Sequence, residues 1–252
     1  MIPEWAQAGL WGLLSGSALL IGALIGYLFN VPSRLIAGVM AFGSGVLFSA
    51  LSFELMDEAY KTGGFYATAG GFLTGALIYS IVNYFLSKQG AKHRKRSSDK
   101  HPSEKDQPGS GMAIAAGALL DGIPESIVIG LSLLGGKGAS LVAVIAVFLS
   151  NIPEGLSSAA GMKKAGRSMG YILGIWISIA LISGLAALIG YTVFQQYSNT
   201  VIAATTALAA GAILAMLVDT MIPEAFDETR EFAGLLTVVG FLVAFILSKL
   251  EG

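Results

Sequence analysis

Apolar runs of about twenty residues recur along the whole chain, and as helices rising 1.5 Å per residue they match the ~30 Å hydrocarbon core of a bilayer. Backbone polar groups find no water at that depth, so each run must close its own hydrogen bonds as a helix. A transmembrane barrel would need short alternating segments instead. Charged residues are 12% of the 252, against about 25% in a soluble domain. Together these features predict an all-α polytopic membrane protein.

Hydropathy predicts eight spans, roughly 10–29, 35–60, 64–86, 111–134, 140–161, 169–191, 201–226 and 233–249. The opening lacks the basic region of a cleaved signal peptide and carries Glu4, so its apolar run reads as the first span. Eight spans place both termini on one side. Twelve Lys and Arg then fall on the opposite side, at Arg34, in the 87–110 loop, at Lys163, Lys164 and Arg167, and at Arg230; Lys61, Lys137 and Lys249 fall on the terminal side. Basic residues stay cytoplasmic. The expected location is therefore a cell membrane (plasma or inner), multi-pass, with extracytoplasmic termini. The 87–110 loop holds the chain's two histidines, His93 and His101, and its composition predicts a disordered linker. No cysteine occurs, which excludes disulfides and thiolate metal sites.

An internal repeat is also legible. "GVLFSALSFELMDEAY" (45–60) and "GAILAMLVDTMIPEAF" (211–226) align without a gap, pairing Gly45 with Gly211, and "GFLTGALI" (71–78) resembles "GFLVAFI" (240–246). The fourth and fifth spans pair Asp121 with Ser150 and Glu125 with Glu154. Both pairs of spans run in opposite directions, the mark of an inverted-repeat transporter. The predicted architecture is one domain over 1–252: a repeat at 10–86, the loop 87–110, a central pair at 111–161 and a repeat at 169–249.

Three Ile-Pro-Glu triplets interrupt the apolar runs, at 123–125, 152–154 and 222–224. A carboxylate at the bilayer centre costs about 2.5–3.5 kcal/mol on insertion scales. Asp121, Glu125 and Glu154 together would cost on the order of 8–10 kcal/mol, and no Lys or Arg is expected at their depth to pair with them. A proton or a cation must compensate. Asp121 and Glu125 are i,i+4, Ser150 and Glu154 likewise, and Asn151 and Glu154 are i,i+3, so each set shares a helix face. Pro124 and Pro153 are expected to kink these two helices and free the carbonyls of Leu120 and Leu149. Such an all-oxygen cluster suits a hard or borderline dication. Glu54, Asp57 and Glu58 near one end of the second span, and Asp219 and Glu224 towards the inner end of the seventh, are candidate pathway or gate residues.

With these motifs the sequence resembles the ZIP (zinc- and iron-regulated transporter-like) family over nearly its whole length. "DGIPES" and "SNIPEG" stand where that family carries His-Asn-x-Pro-Glu-Gly and Gln/Asn-Asn/Asp-x-Pro-Glu-Gly, and "DTMIPEA" resembles its Asp-Glu-Leu-x-Pro-Glu-Ala. The resemblance implies metal ligands at Asp121, Glu125, Ser150, Asn151 and Glu154. It also implies uptake of Zn²⁺, Mn²⁺ or Fe²⁺ as substrate, with Cd²⁺ as a surrogate, and is compatible with a homodimer. The chain departs from the pattern where Asp121 replaces the usual His and Gly122 a usual Asn or Asp. Its sixth span offers Ser178 and Ser183 rather than an acid. Exchanging imidazole for carboxylate favours harder ions such as Mn²⁺ or Fe²⁺.

The expected function is alternating-access uptake of a divalent metal, with metal ions and lipid as partners and no nucleic acid. No GxxxxGK[ST] motif is present to bring in ATP. A non-transporting metal sensor and a proton-coupled organic-cation carrier are the alternatives. An enzyme is not expected, since a metallohydrolase usually needs His ligands and no span has one.

Overall fold

A computed structural model describes residues 2–97, 101–103, 106–135 and 138–251. Lys100, Lys105 and Lys137, three of the residues used in the charge count, lie outside the described residues. Among the described residues every regular element is helical. The α-helices are α1 (Glu4–Leu28), α2 (Ser33–Ala50), α3 (Met56–Lys88), α4 (Ser110–Ser132), α5 (Leu141–Lys164), α6 (Met169–Phe194), α7 (Asn199–Met216), α8 (Ile222–Thr229) and α9 (Ala233–Glu251). Single π-helical turns, Leu51–Leu55 and Leu217–Met221, join α2 to α3 and α7 to α8.

Six stretches among the described residues are long and apolar enough to cross a bilayer, as a helical membrane protein requires. Two of them, Ser33–Lys88 and Asn199–Leu250, hold 56 and 52 residues, enough for more than one crossing each. Both are broken inside. Gly64 adopts φ 72° and ψ −177°, a conformation open in practice only to glycine. Arg230, at φ 42°, ends α8 before the chain re-enters the apolar α9.

Small residues set the packing. α2 lies on α9 so closely that a Cβ on Gly45 would overlap the Thr237 carbonyl and one on Gly240 the Phe42 carbonyl. α7 lies on α3 in the same way, with Gly211 against the Phe72 carbonyl and Gly75 against the Leu208 carbonyl. α1 meets α5 at Gly26 and the Leu156 carbonyl, while α6 meets α4 at Gly190 and the Ile127 carbonyl. Close backbone approach of this kind supplies the dispersion contacts that hold helices together where lipid removes the hydrophobic drive. The counterpart of Gly240 in these contacts is Gly75, four residues from the Gly71 that sequence similarity alone selects.

The main apolar cluster fills the space between α2, α4, α5 and α7 with Met40, Leu47, Leu51, Val128, Val147, Ile213 and Met216. Pro124 and Pro153 lie inside helices that continue on both sides of them.

Candidate functional site

α4 and α5 carry the acids into the bundle. Asp121 is the twelfth residue of the 23-residue α4, and Glu125 follows one turn later. Glu154 stands on α5. All three are buried, at 2%, 1% and 5% exposure. Two or more uncompensated carboxylates at that depth would be prohibitive, and the compensation comes from the loop.

Residues 91–97 of the 87–110 loop reach into the bundle, contrary to the disordered linker its composition predicts. Composition fails here because the basic residues find acids rather than water. The Arg94 side chain, 2% exposed, donates from Nε to Asp121 Oδ2 at 3.0 Å and from Nη2 to Asp121 Oδ1 at 2.9 Å. Nη2 also donates to Tyr79 Oη at 2.8 Å, and Nη1 to Asn83 Oδ1 at 2.8 Å and to the Ala91 carbonyl at 3.3 Å. This is the bidentate fork that a planar guanidinium makes with a carboxylate. The Lys95 ammonium stands 2.8 Å from Glu154 Oε1 and 3.3 Å from Asp121 Oδ2. Arg96 pairs with Glu224 at 3.4 Å and with Asp227. The Ser97 amide donates to Glu224 Oε1 at 3.0 Å, and the Ser157 hydroxyl donates to the Lys95 carbonyl.

The bundle is shaped to receive this arm. A Cβ on Gly117, one turn before Asp121 on α4, would lie 2.5 Å from Arg94 Cδ and 2.8 Å from Nε. Gly161 on α5 leaves room for the Arg96 carbonyl and the His101 ring, which would meet a Cβ there at about 2.5 Å. His101 is 7% exposed rather than a solvated linker residue. Burial, reinforced by nearby Arg167 and His93, lowers its pKa to about 4, so it sits in place as the neutral ring.

Asp121 and Glu154 share the Lys95 ammonium, and Glu125 is buried one turn beyond Asp121 on α4. The expectation that no Lys or Arg reaches that depth is corrected, since Arg94 and Lys95 arrive from outside the spans. Ser150 is fully buried and donates to the Val147 carbonyl, and Asn151 Nδ2 donates to the Ser15 carbonyl on α1 at 2.9 Å. Among the described residues no group of three or more His, Cys, Asp or Glu side chains forms a metal cage. The Lys95 amine stands between Asp121 and Glu154 in this conformation. One Glu125 oxygen, Oε1, has no hydrogen-bond partner among the described residues, and Glu125 lines a small apolar cavity with Leu47, Leu51, Leu55, Val128 and Val147.

The pathway acids divide. Asp219 accepts from Asn83 Nδ2 at 3.3 Å and so joins the chain Asp219–Asn83–Arg94–Asp121–Lys95–Glu154; Glu224 anchors the arm. Glu54 accepts from Ser248 at 2.5 Å, Asp57 pairs with Lys61 at 2.6 Å and Glu58 accepts from Thr62 at 3.1 Å. None of these three contacts belongs to the central cluster. Sequence reasoning passed over Tyr79, Asn83, Arg94 and Lys95. Gly117, Asp121 and Glu125 form an i,i+4,i+8 stripe on α4, and that small-then-acidic groove was the available signal for an incoming cationic chain. No protein-family model matches the sequence, and no curated protein matches it.

Proposed function

We propose that the protein is a divalent metal cation transporter that carries Zn²⁺, Mn²⁺ or Fe²⁺ toward the cytoplasm by alternating access. The observation that carries this reading is the pairing of two buried carboxylates, Asp121 and Glu154, with the Lys95 ammonium in mid-bundle, with Glu125 buried one turn beyond Asp121 on α4. The ammonium stands where a cargo cation would stand. A dication there would meet the hard-oxygen carboxylates of Asp121 and Glu154, with Glu125 one turn along α4. Ser150 and Asn151, both buried beside Glu154, would supply its neutral ligands.

On this reading the conformation is one in which the arm holds the site and the apolar cluster beyond Glu125 shuts the opposite side. Cargo entry from that side requires α2, α4, α5 and α7 to part there, and Lys95 must withdraw before cargo binds. The close glycine approaches support an eight-span, 3+2+3 inverted repeat. The α2–α9 contacts match the α7–α3 contacts residue for residue, and the π-turns recur at aligned positions, 51–55 and 217–221. The basic loop then faces the cytoplasm, with both termini outside. A dication moving through 100 mV releases about 4.6 kcal/mol, enough to drive uptake without ATP.

The test is elemental analysis of protein purified without chelator, together with metal flux into proteoliposomes. Bound Mn, Fe or Zn and flux lost in Glu125→Ala and Glu154→Ala are the expected results. Full flux in both variants would refute the assignment.

A further inference from the structure

The berth that Arg94 fills differs in shape from the position that Lys95 fills. Among the described residues, every acceptor around the guanidinium except the Ala91 carbonyl belongs to the bundle: Tyr79 and Asn83 on α3, one turn apart, and both oxygens of Asp121 on α4. These three side chains are buried, at 1%, 8% and 2% exposure, and would remain when the arm leaves. They accept donors from all three guanidinium nitrogens, in the bidentate-plus-flank pattern that a planar fork satisfies and a spherical ion does not. Gly117 leaves a bare strip of α4 for the group to lie against. Lys95 occupies a second position, between Asp121 and Glu154, and Glu125 Oε1 has no partner among the described residues.

We propose that Tyr79, Asn83 and Asp121 form a binding subsite for small guanidinium compounds, which Arg94 occupies in cis and which a free guanidinium ligand takes in trans. Such a ligand displaces Arg94, and because Lys95 and Arg96 are its chain neighbours it loosens the whole arm. The ligand class is a guanidinium carrying at most a small substituent, since Gly117 and the buried walls leave room for the fork and little more. The subsite needs no metal, so it stands or falls apart from the transport reading.

The absence of cysteine supplies a clean reporter. Ser97 is 2% exposed and its amide is tied to Glu224, so a lone thiol in Ser97→Cys reacts only when the arm is out. In full-length Ser97→Cys protein in lipid nanodiscs, without metal, millimolar guanidinium chloride raises the rate of thiol labelling several-fold, with saturation. Sodium chloride at the same ionic strength, and urea, which has the shape without the charge, leave the rate unchanged. Adding Tyr79→Phe removes one acceptor from Arg94 and from the free ligand alike, so ligand-free labelling quickens by about tenfold while the saturating concentration stays nearly fixed. In Arg94→Ala the vacant berth binds guanidinium directly and the melting temperature rises. If that variant does not fold, Arg94→Lys keeps the charge without the fork and responds at a lower guanidinium concentration than the parent. Equal acceleration by urea or sodium, or no response in Ser97→Cys and Arg94→Lys alike, overturns the proposal.

Discussion

Removing the Lys95 amine offers the sharpest test of the central cluster. At an effective dielectric of about 20, Lys95 gains roughly 6 kcal/mol from Glu154 at 2.8 Å and roughly 5 kcal/mol from Asp121 at 3.3 Å. Most of that offsets the cost of burying the ions, and breaking such a buried pair by deleting one partner costs about 3–5 kcal/mol net. In Lys95→Met this cost falls on the protein whenever no other cation is present, so the metal-free variant should be less stable by about that amount. A dication that occupies the vacated position no longer competes with a tethered ammonium. Its apparent affinity should therefore rise roughly 100- to 4,000-fold over the parent. Equilibrium dialysis with elemental detection, for Mn²⁺ and Zn²⁺ at mildly alkaline pH, measures this directly. Lys95→Arg, which keeps the charge, should show no such gain. The gain should shrink as pH falls, because protons then neutralise the carboxylates that lost the ammonium. Unchanged or weaker metal binding in Lys95→Met would refute the idea that arm and metal share one site.

Three further outcomes follow from the same contacts, each read by thiol labelling of Ser97→Cys or by flux. Gly117→Ala removes no charge but overlaps Arg94, and overpacking of about 1–3 kcal/mol should speed labelling about five- to 150-fold; an unchanged rate would mean that Arg94 does not lie against α4. His101 is neutral in place with a pKa lowered to about 4 by burial, so arm docking is fully favoured above its free value near 6.5 and weakens as pH falls toward 4. His101 faces Arg167, His93 and the Arg96 backbone. Labelling with a reagent active in acid should rise up to tenfold per pH unit across that window relative to His101→Asn, and equal profiles would remove His101 from the lock. Glu154→Gln should free the arm measurably, since Lys95 contacts Glu154, whereas Glu125→Gln should leave labelling nearly unchanged yet abolish flux; the reverse pattern would exchange their roles.

The helical membrane class and the buried acids are readable from residues alone. They depend on local quantities: twenty-residue apolar length, 3.6-residue periodicity and the cost of a carboxylate in hydrocarbon. Asp121, Glu125 and Glu154 are conspicuous because nothing nearby in sequence excuses them. Gly45 and Gly211 are conspicuous in the same way, and each marks a close backbone approach to a neighbouring helix.

What neutralises those acids was decided by tertiary structure. Arg94 and Lys95 lie 27 and 26 positions before Asp121, in a segment whose composition reads as solvated, and no periodicity links them to α4. Their placement depends on three surfaces meeting: the Tyr79–Asn83 face of α3, the Gly117 groove of α4 and the Ser157–Gly161 end of α5. Local sequence determines which groups are too costly to leave alone in lipid. Only the packed helices determine which opposite charge can reach them, because reach is set by distances between elements that the chain order does not encode.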